Sequence, residues 1–449
     1  MASTRIYRTM GTPTNDKIWT VSGWFKFHAN DGHIMFASDA NNNSSWTQIR
    51  FSSGALAMGA NSLNWLVTNR VFRDYNAWYH IVITSDSTQA SASDRIKIYI
   101  NGVRETHFST DNLSSTSQDQ SWGWNKDGVV NNIGGENASG YQSMSVSHFH
   151  NIDGTAYDAS AFGETDSTTG EWKIKTNPSV TYGNNGFWWL KDDVTTTDHS
   201  PNSNTFTIGG TLTKTEDNPS NNFATWNPLV YNANSPLFKS GNTEEEGQSD
   251  GRYPNTISTL AMPKSGKFYA EFKKVDPSND KEVIGIADTN LAIQAIFKNT
   301  ALYNTSYEGQ VCIRQDGNYL TYGSEAAYFG GGTFGDNDIF QIAFDGDNGA
   351  IYFGKNGTWG NSSDPTSGSS KTGAVDISSL AWYTAANDLV FLAGESSSGG
   401  YGHLQANFGN GYFGTTQVSS AGTNASGIGI FEYDVPTGYT ALSTKGLNL

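Results

Sequence analysis

Hydrophobic residues recur at every second position through the first half of the chain. Ile96–Ile100 alternates isoleucine with Lys or Tyr, and Asn101-Gly102 follows at once. A period of two places one set of side chains on one face of a sheet, and Asn-Gly between such segments is typical of a type I′ hairpin turn. Trp19–Phe27 alternates in the same way, and further apolar segments lie at His33–Ala37 and Trp78–Thr84. The pattern predicts a first half built from strands.

The same pattern returns in the second half. Apolar residues alternate in Ile339–Phe344, and the turn-forming segment Asp345–Gly349 separates them from Ala350–Phe353. This arrangement favours a plain hairpin turn over the calcium loop that the acidic residues of the segment mimic. Only Thr289–Phe297 is predicted to hold a short helix, and the sequence contains no heptads or fixed-period repeats.

Composition supports an all-β class. The 449 residues suffice for two or three domains, and Gly, Ser, Thr and Asn are mixed with Tyr, Trp and Phe as in chains of short strands and tight turns. Aromatic residues make up 13% of the chain, which excludes a disordered composition. We predict two concanavalin-like β-sandwich (jelly-roll) domains in tandem, at 1–175 and 229–449, with 176–228 as a connector of strap and strands.

The charge and the hydropathy of the chain argue against two kinds of partner, nucleic acids and membranes. The net charge is −16, and Lys and Arg form no stripe of the kind that follows a phosphate backbone, so no nucleic-acid partner is expected. No apolar run reaches about 18 residues, so membrane insertion is not expected, and Met1–Arg5 lacks the apolar core of a signal peptide.

The single cysteine, Cys312, lies in an apolar run and is interpreted as a buried hydrophobic residue.

The spacing of acidic residues argues against catalysis. A glycosidase places two carboxylates on either side of the scissile bond. The nearest pattern is Glu164-Thr165-Asp166, but Thr168 and Thr169 occupy both positions where a third acid would stand. Glu244–Glu246 is interpreted as a solvated surface run. We therefore expect that the chain is not an enzyme.

Several aromatic residues lie in Asn-, Ser- or Gly-rich stretches rather than in alternating strands. Exposed rings there would offer stacking platforms for sugars, whereas buried rings would each stabilise a core by about 1.5–3 kcal/mol. Trp19, Trp24 and Trp78 are assigned to the core. The candidates for contact with a glycan or a partner, for which both interpretations remain open, are Trp46, Trp65, Trp122, Trp124, Trp359 and Tyr401.

Two sets of segments carry resemblances to known families. In the first half they are Trp19–Trp24, Trp78–Val82, Ile98–Gly102, Ile133–Gly135 and Ser147–Gly154. These resemble the laminin-G-like branch of the concanavalin A-like lectin fold. In the second half, Gly266–Glu271, Gly335–Ile339 with the hairpin after it, and Ala406–Gly409 resemble a SPRY-like domain. Phe162–Asp166, Gly170–Lys173, Gly183–Phe187 and the tail Tyr433–Leu442 are similar to marine tailed-phage structural and fibre proteins.

The laminin-G-like resemblance leaves a structural calcium ion open, although no cofactor is otherwise expected. Calcium prefers six to eight oxygen ligands, and the loop candidates are Asp39, Asp153 and Asp158. His148 and His150 have a spacing that can chelate zinc, but no Cys or acidic residue lies near them at ligand spacing. These histidines are interpreted as polar or packed side chains.

Together the resemblances imply a virion-surface protein, such as a tail fibre or a capsid decoration. The predicted function is adhesion without catalysis, to host-surface polysaccharide or to neighbouring virion proteins, and such proteins are commonly homo-oligomers. Two alternatives remain open. The first is a glycan-degrading depolymerase on the virion, and the second is a purely structural capsid cement.

Overall fold

The computed structural model describes residues 4–29, 32–38, 46–60, 63–136, 139–191, 197–232, 235–247, 253–275, 282–298, 308–322, 324–395 and 402–449. They divide into two compact units, Met1–Lys214 with Asn218–Ser220, and Thr215–Asp217 with Asn221–Leu449. Strands dominate both units, which confirms the all-β class. Residues 176–228 contribute two strands to the sheets of the first unit and the buried rings of Phe223 and Trp226 to the second.

In the first unit two sheets enclose one core. The strands are β1 (Arg5–Thr9), β2 (Ile18–Phe27), β3 (His33–Ser38), β4 (Trp46–Ser52), β5 (Ala55–Ala60), β6 (Leu63–Val71), β7 (Trp78–Asp86), β8 (Ile96–Ile100), β9 (Val103–Arg104), β10 (Phe108–Asp111), β11 (Val130–Ile133), β12 (Met144–Asp153), β13 (Gly163–Thr165), β14 (Trp172–Ile174), β15 (Phe187–Trp189) and β16 (Thr207–Gly209). In the described residues the strand orders are β10-β6-β5-β4-β3-β11-β1-β16 and β15-β12-β2-β7-β8-β9, and β13 and β14 form a separate hairpin. Apolar side chains from both larger sheets form a single buried cluster.

The predicted hairpin after Ile96–Ile100 is confirmed. Ile100 pairs with Val103, and the two residues between them, Asn101 and Gly102, have φ angles of 49° and 81°. A type I′ turn requires positive φ at both central positions, which Asn and Gly adopt at low cost. The isoleucines of β8 all point into the core.

The second unit repeats the two-sheet arrangement. Its strands are β17 (Leu237–Lys239), β18 (Glu244–Glu246), β19 (Thr256–Ile257), β20 (Met262–Pro263), β21 (Lys267–Lys274), β22 (Glu282–Asp288), β23 (Gln310–Arg314), β24 (Asn318–Thr321), β25 (Ser324–Ala327), β26 (Ile339–Asp345), β27 (Ala350–Lys355), β28 (Thr358–Trp359), β29 (Val375–Asp376), β30 (Asp388–Glu395), β31 (His403–Asn407), β32 (Tyr412–Phe413), β33 (Thr416–Gln417) and β34 (Thr440–Ala441). Over the described residues, one sheet runs β17-β18-β31-β21-β26-β27-β28, with β29 and β34 beside β27 and β21. The other runs β19-β30-β22-β23-β24-β25, with β20 beside β30, and β32 pairs with β33.

Two short α-helices interrupt the strands in the described residues of the second unit. The predicted helix is confirmed as α1 (Thr289–Phe297), which begins after the N-cap residue Asp288. The five-residue helix α2 (Ala381–Ala385) was not predicted, because its buried Trp382 and Tyr383 do not form a helical period long enough to recognise. Neither helix, nor any other in the described ranges, has the length and apolar character needed to cross a membrane.

The interpretation of Glu244–Glu246 as a solvated run is wrong. The three residues form β18, between β17 and β31, and Glu245 is only 2% exposed. Burial raises the pKa of Glu245 well above its ordinary value, and nearby carboxylates, Glu395 first among them, act in the same direction. A run of like charges is solvated only where tertiary structure leaves it outside, and here the run is a strand within a sheet, with Glu244 and Glu245 buried.

Candidate functional site

An open pocket lies on the outer face of the larger sheet of the second unit. Its volume is about 420 Å³, within the range of small-molecule sites. The lining residues are Trp359, Ser363, Asp364, Pro365, Thr366, Thr423, Asp434, Val435, Pro436 and Thr437. We call this the Trp359 pocket. Its walls come from two segments, 359–366 and 423–437, and neither segment contains Lys, Arg or His.

Trp359, a predicted contact residue, reaches the pocket because β28 folds back on β27. Asn356 and Gly357 in the turn have φ angles of 48° and 81°, and Trp359 then pairs with Gly354. The indole is half-buried and packs at a steep angle against the ring of Tyr269, with the centroids 6.4 Å apart. The sheet therefore holds one part of the indole while another part lines the pocket.

Two carboxylates accompany the indole in the lining. The Oδ1 atom of Asp364 accepts hydrogen bonds from the backbone N–H and the hydroxyl of Thr366, at 2.8 and 2.6 Å. The Oδ1 atom of Asp434 accepts the same pair from Thr423, at 2.7 and 2.8 Å. These bonds lower the pKa of both carboxyl groups, because they stabilise the ionised forms. Both side chains are exposed, and in the described part of the chain no donor hydrogen-bonds to either Oδ2 atom.

A buried hydrogen-bond chain fixes the two walls of the pocket relative to each other. From the Trp359 side, Gly357 N–H donates to Gln341, Gln341 donates to the Tyr269 hydroxyl, and this hydroxyl donates to Glu271. From the other side, both N–H groups of Glu432–Tyr433, just before Asp434, donate to the Glu271 carboxyl at 2.8 and 2.9 Å. One residue of β21 thereby anchors both walls.

Strand register explains why Glu271 can do this. Glu271 is opposite Gln341, Gln341 is opposite Gly354, and Gly354 is opposite Trp359, so these residues form one cross-strand row. Glu271 is fully buried. Loss of hydration raises the pKa of its carboxyl group to about 7, although the hydrogen bonds from residues 432 and 433 act in the opposite direction.

The two carboxyl groups of the pocket differ from the acid and carboxylate pair of a glycosidase. A glycosidase needs a protonated carboxyl as general acid, with a raised pKa, near a second carboxylate. Here the pKa values of Asp364 and Asp434 are both lowered, so both accept hydrogen bonds and neither supplies a proton near neutral pH. The pocket offers an aromatic surface beside two hydrogen-bond acceptors.

Sequence reasoning identified Trp359 but missed the two aspartates. Each begins a similar short segment, Asp364-Pro365-Thr366 and Asp434-Val435-Pro436-Thr437. In both, an Asp one or two residues before a Pro reads as a turn. Comparing the two turns would have suggested related roles, but nothing in the sequence shows that the turns face one pocket.

Three predicted contact residues belong to the core instead. Trp65, Trp122 and Trp124 are 4%, 3% and 1% exposed. The rings of Trp65 and Trp122 pack together with centroids 4.7 Å apart, and Trp124 donates a hydrogen bond from Nε1 to Asn151 at 2.8 Å. Of the two interpretations left open for these residues, the structure therefore supports burial in the core of the first unit.

Of the two remaining aromatic candidates, only Trp46 belongs to the described residues. Trp46 begins β4 in the first unit, is half-buried and stacks with Phe36, with the centroids 6.1 Å apart. It is not among the residues that line the Trp359 pocket. Tyr401 and the metal candidate Asp39 lie outside the described residues.

The other metal candidates serve local structure. Asp153 is buried and accepts hydrogen bonds from the N–H groups of Thr14, Asn15 and Asn185, at 2.7–3.1 Å. Asp158 caps a single helical turn by accepting from Ser160. These bonds occupy oxygen atoms that a calcium ion would need. Across the described ranges, no three His, Cys, Asp or Glu side chains form a group that could hold a metal ion.

His148 and His150, the two histidines with zinc-ligand spacing, are packed against an aromatic ring. His148 and His150 both contact the Trp188 ring, and the Nδ1 atom of His150 bonds to the Tyr182 hydroxyl at 3.0 Å. Burial lowers the pKa of His150 well below its ordinary value, with like charge from the neighbouring histidines as a smaller cause. His150 is therefore a neutral, packed side chain.

One buried Ser-His pair has the geometry of a nucleophile and base but the wrong tautomer. The Nε2 atom of His80 lies 2.9 Å from the Ser22 hydroxyl, while Nδ1 accepts from the Trp172 indole N–H at 3.0 Å. An indole only donates, so the proton of His80 is on Nε2. His80 therefore cannot take a proton from Ser22 through that atom, as a general base would.

Comparisons with known proteins agree with this architecture. Residues 6–140 match the Laminin_G_3 family, described as the concanavalin A-like lectin/glucanases superfamily. This match supports the laminin-G-like resemblance of the first half. No curated protein sequence matches the chain.

Solved structures with similar folds share little sequence with the chain. The SPRY domain of human HERC1 is 17% identical and covers 40% of this chain and 96% of its own, at a TM-score of 0.30. The heptameric SAP-like pentraxin of Limulus polyphemus is 18% identical, covering 47% and 90%, at 0.30. Domains LG4-5 of the mouse laminin alpha1 chain are 8% identical, covering 90% and 84%, at 0.28. At these TM-scores the likenesses carry no argument about function, and the virion origin stays a prediction.

Proposed function

We propose that this chain is a non-enzymatic adhesion protein that binds a glycan in the Trp359 pocket. The observation that carries the proposal is the arrangement of the half-buried indole of Trp359 with Asp364 and Asp434. Each carboxylate is held by a threonine through one oxygen, while its other oxygen has no hydrogen-bond donor in the described part of the chain. A sugar ring stacks on the indole and donates its hydroxyl groups to these oxygens.

Many copies on one particle would make such a site effective. A single open pocket with millimolar affinity supplies about −4 kcal/mol. Display on a repeating surface raises avidity by about 10²–10⁴ without new contacts. The tail Tyr433–Leu442, of which residues 434–437 line the pocket, is also the segment that resembles phage fibre proteins. On the basis of that resemblance, we propose that the chain is a virion-surface protein that lies beside other virion proteins and forms a homo-oligomer.

Substitution of Trp359 tests the proposal. The Trp359→Ala variant should lose binding on a glycan array and adsorption to host cells, with its near-UV circular dichroism otherwise retained. Tyr322→Ala removes an aromatic ring that is 53% exposed elsewhere in the second unit and serves as the matched control. Retained glycan binding by Trp359→Ala would contradict the proposal.

The two alternatives predict different results. A depolymerase would release reducing sugar from host polysaccharide, and Asp364→Asn or Asp434→Asn would abolish that release. A capsid cement would leave adsorption unchanged in Trp359→Ala, while particles that lack the protein would lose stability. The virion placement itself requires that an antibody raised against the chain labels purified particles, and absence of labelling would contradict it.

A further inference from the structure

The charged residues that line the Trp359 pocket are both acidic. Its lining includes the carboxylates of Asp364 and Asp434 and no Lys, Arg or His. Both carboxyl groups accept hydrogen bonds from threonines that stabilise the ionised form, so the pocket carries two negative charges near neutral pH. An acidic sugar, such as a uronic acid or a sulfated residue, would be repelled by both charges.

The lysine just behind the wall does not offset these charges. The Tyr439 hydroxyl donates to the backbone carbonyl of Pro365, which lines the pocket. Lys267 lies over the ring of the same tyrosine, with its Nζ atom 5.5 Å from the centre of the Tyr439 ring. Its ammonium is paired with the buried carboxylate of Asp345 at 2.8 Å. The positive charge of Lys267 is therefore balanced by Asp345 and not by the carboxylates of the pocket.

An indole beside two carboxylates is a favourable environment for an ammonium group. A cation within about 6 Å of an indole face is attracted by the electrons of the ring, and a hydrogen bond from an ammonium to a carboxylate is stronger than one from a neutral hydroxyl. A hydroxyl group also donates to a carboxylate, but it carries no positive charge and therefore gains neither the ion pair nor the attraction to the indole face. The pocket thus favours a positively charged ligand group over an uncharged group of similar size.

From these observations we infer that the glycan bound in the Trp359 pocket carries a free amine, as in an unacetylated amino sugar. This inference rests on the proposed function and names the class of sugar. The amine lies against the indole and is shared between the Oδ2 atoms of Asp364 and Asp434, the carboxylate oxygens that the threonines leave without a donor.

Two trisaccharides that differ at one position per ring test the inference. A β-1,4-linked glucosamine trimer carries an ammonium group where a β-1,4-linked glucose trimer carries a hydroxyl. At about pH 5.5 both pocket carboxylates are ionised and the sugar amines are largely charged. Isothermal titration calorimetry should show the glucosamine trimer binding at least about fivefold more tightly, with the difference shrinking as salt screens the charges.

Substitutions test whether Asp364 and Asp434 cause the preference for the amine. Asp364→Asn combined with Asp434→Asn should abolish the preference for the amine while leaving some binding to either trimer through Trp359. Asp158→Asn is the matched control, because Asp158 accepts from the N–H and hydroxyl of Ser160 in the same geometry, outside the pocket. This control should keep the full preference.

The outcomes separate this inference from the proposed function. Equal binding of the two trimers, or a preference that survives the double substitution, overturns the amine assignment and leaves glycan binding standing. If neither trimer binds, the amine assignment also falls, and the glycan array then decides the proposed function. A trilysine peptide that binds as tightly as the amino sugar would assign the pocket to cationic peptides and overturn the inference.

Discussion

The buried carboxyl of Glu271 should make the stability of the second unit depend on pH. Its pKa is raised from 4.5 to about 7, mainly because burial removes the hydration of the charged form. The native state therefore holds this proton more tightly than the unfolded state. Stability falls as the pH rises from about 4.5 to about 7 and levels off above that range, where both states are ionised.

The size of the effect follows from the shift. A difference of about 2.5 pKa units corresponds to about 3 kcal/mol of unfolding free energy, lost across that pH window. Glu271→Gln keeps the shape but cannot ionise. The amide has only one acceptor oxygen, whereas the N–H groups of Glu432 and Tyr433 donate to different carboxyl oxygens, so the variant also loses a hydrogen bond. That loss lowers the unfolding free energy of the variant by about 1–3 kcal/mol at every pH, and the pH-dependent difference from the wild-type chain adds to it.

The test is the pH dependence of the difference between the wild-type chain and Glu271→Gln. Urea denaturation from pH 4.5 to 8, followed by hydrogen–deuterium exchange of peptides from the second unit, gives both free energies without contributions from the first unit. The difference should shift by about 3 kcal/mol in favour of the variant as the pH rises. Glu308→Gln, at an exposed position, is the control. A difference that stays constant with pH would refute the reasoning.

Three further substitutions have defined outcomes. Trp124→Ala should cost about 3–5 kcal/mol in denaturant unfolding without changing the affinity of the Trp359 pocket, and weaker glycan binding in a folded variant would contradict the core assignment. Gly422→Ala would place a methyl group against the backbone of Tyr433 and Asp434. Calorimetry should therefore show weaker binding of the glucosamine trimer to the Trp359 pocket. An unchanged affinity would show that the backbone of these two residues can move aside without loss of binding. Asp288→Ala removes the cap that accepts from Leu291 at 2.9 Å and should cost about 1 kcal/mol of unfolding free energy; an unchanged value would mean that the cap is not stabilising.

Local pattern was enough to predict the strands and the turns between them. The alternation in Ile96–Ile100 and Ile339–Phe344 identifies faces that the structure buries, because side chains on a strand alternate between two faces whatever its neighbours are. Asn101-Gly102 forms the predicted turn because few other residue pairs adopt positive φ twice at low cost. The helix Thr289–Phe297 follows from the same kind of local rule.

Burial of individual side chains could not be predicted in this way. The polar neighbours of Trp122 and Trp124 suggested exposure, and the charges of Glu244–Glu246 suggested solvation, yet both groups are largely buried. Whether a loop turns outward or folds over a core depends on contacts with residues distant in the sequence. The polarity of the adjacent residues carries no information about those contacts.

The amino-acid sequence by itself determined that this protein is made of strands, because period and turn chemistry act over a few residues. Only the tertiary structure decided where a ligand can bind. Trp359, Asp364 and Asp434 form one pocket because the register of β21, β26, β27 and β28 aligns Trp359 with Glu271, and Glu271 holds the segment before Asp434. Such cross-strand alignment is a property of the paired strands and of no single segment.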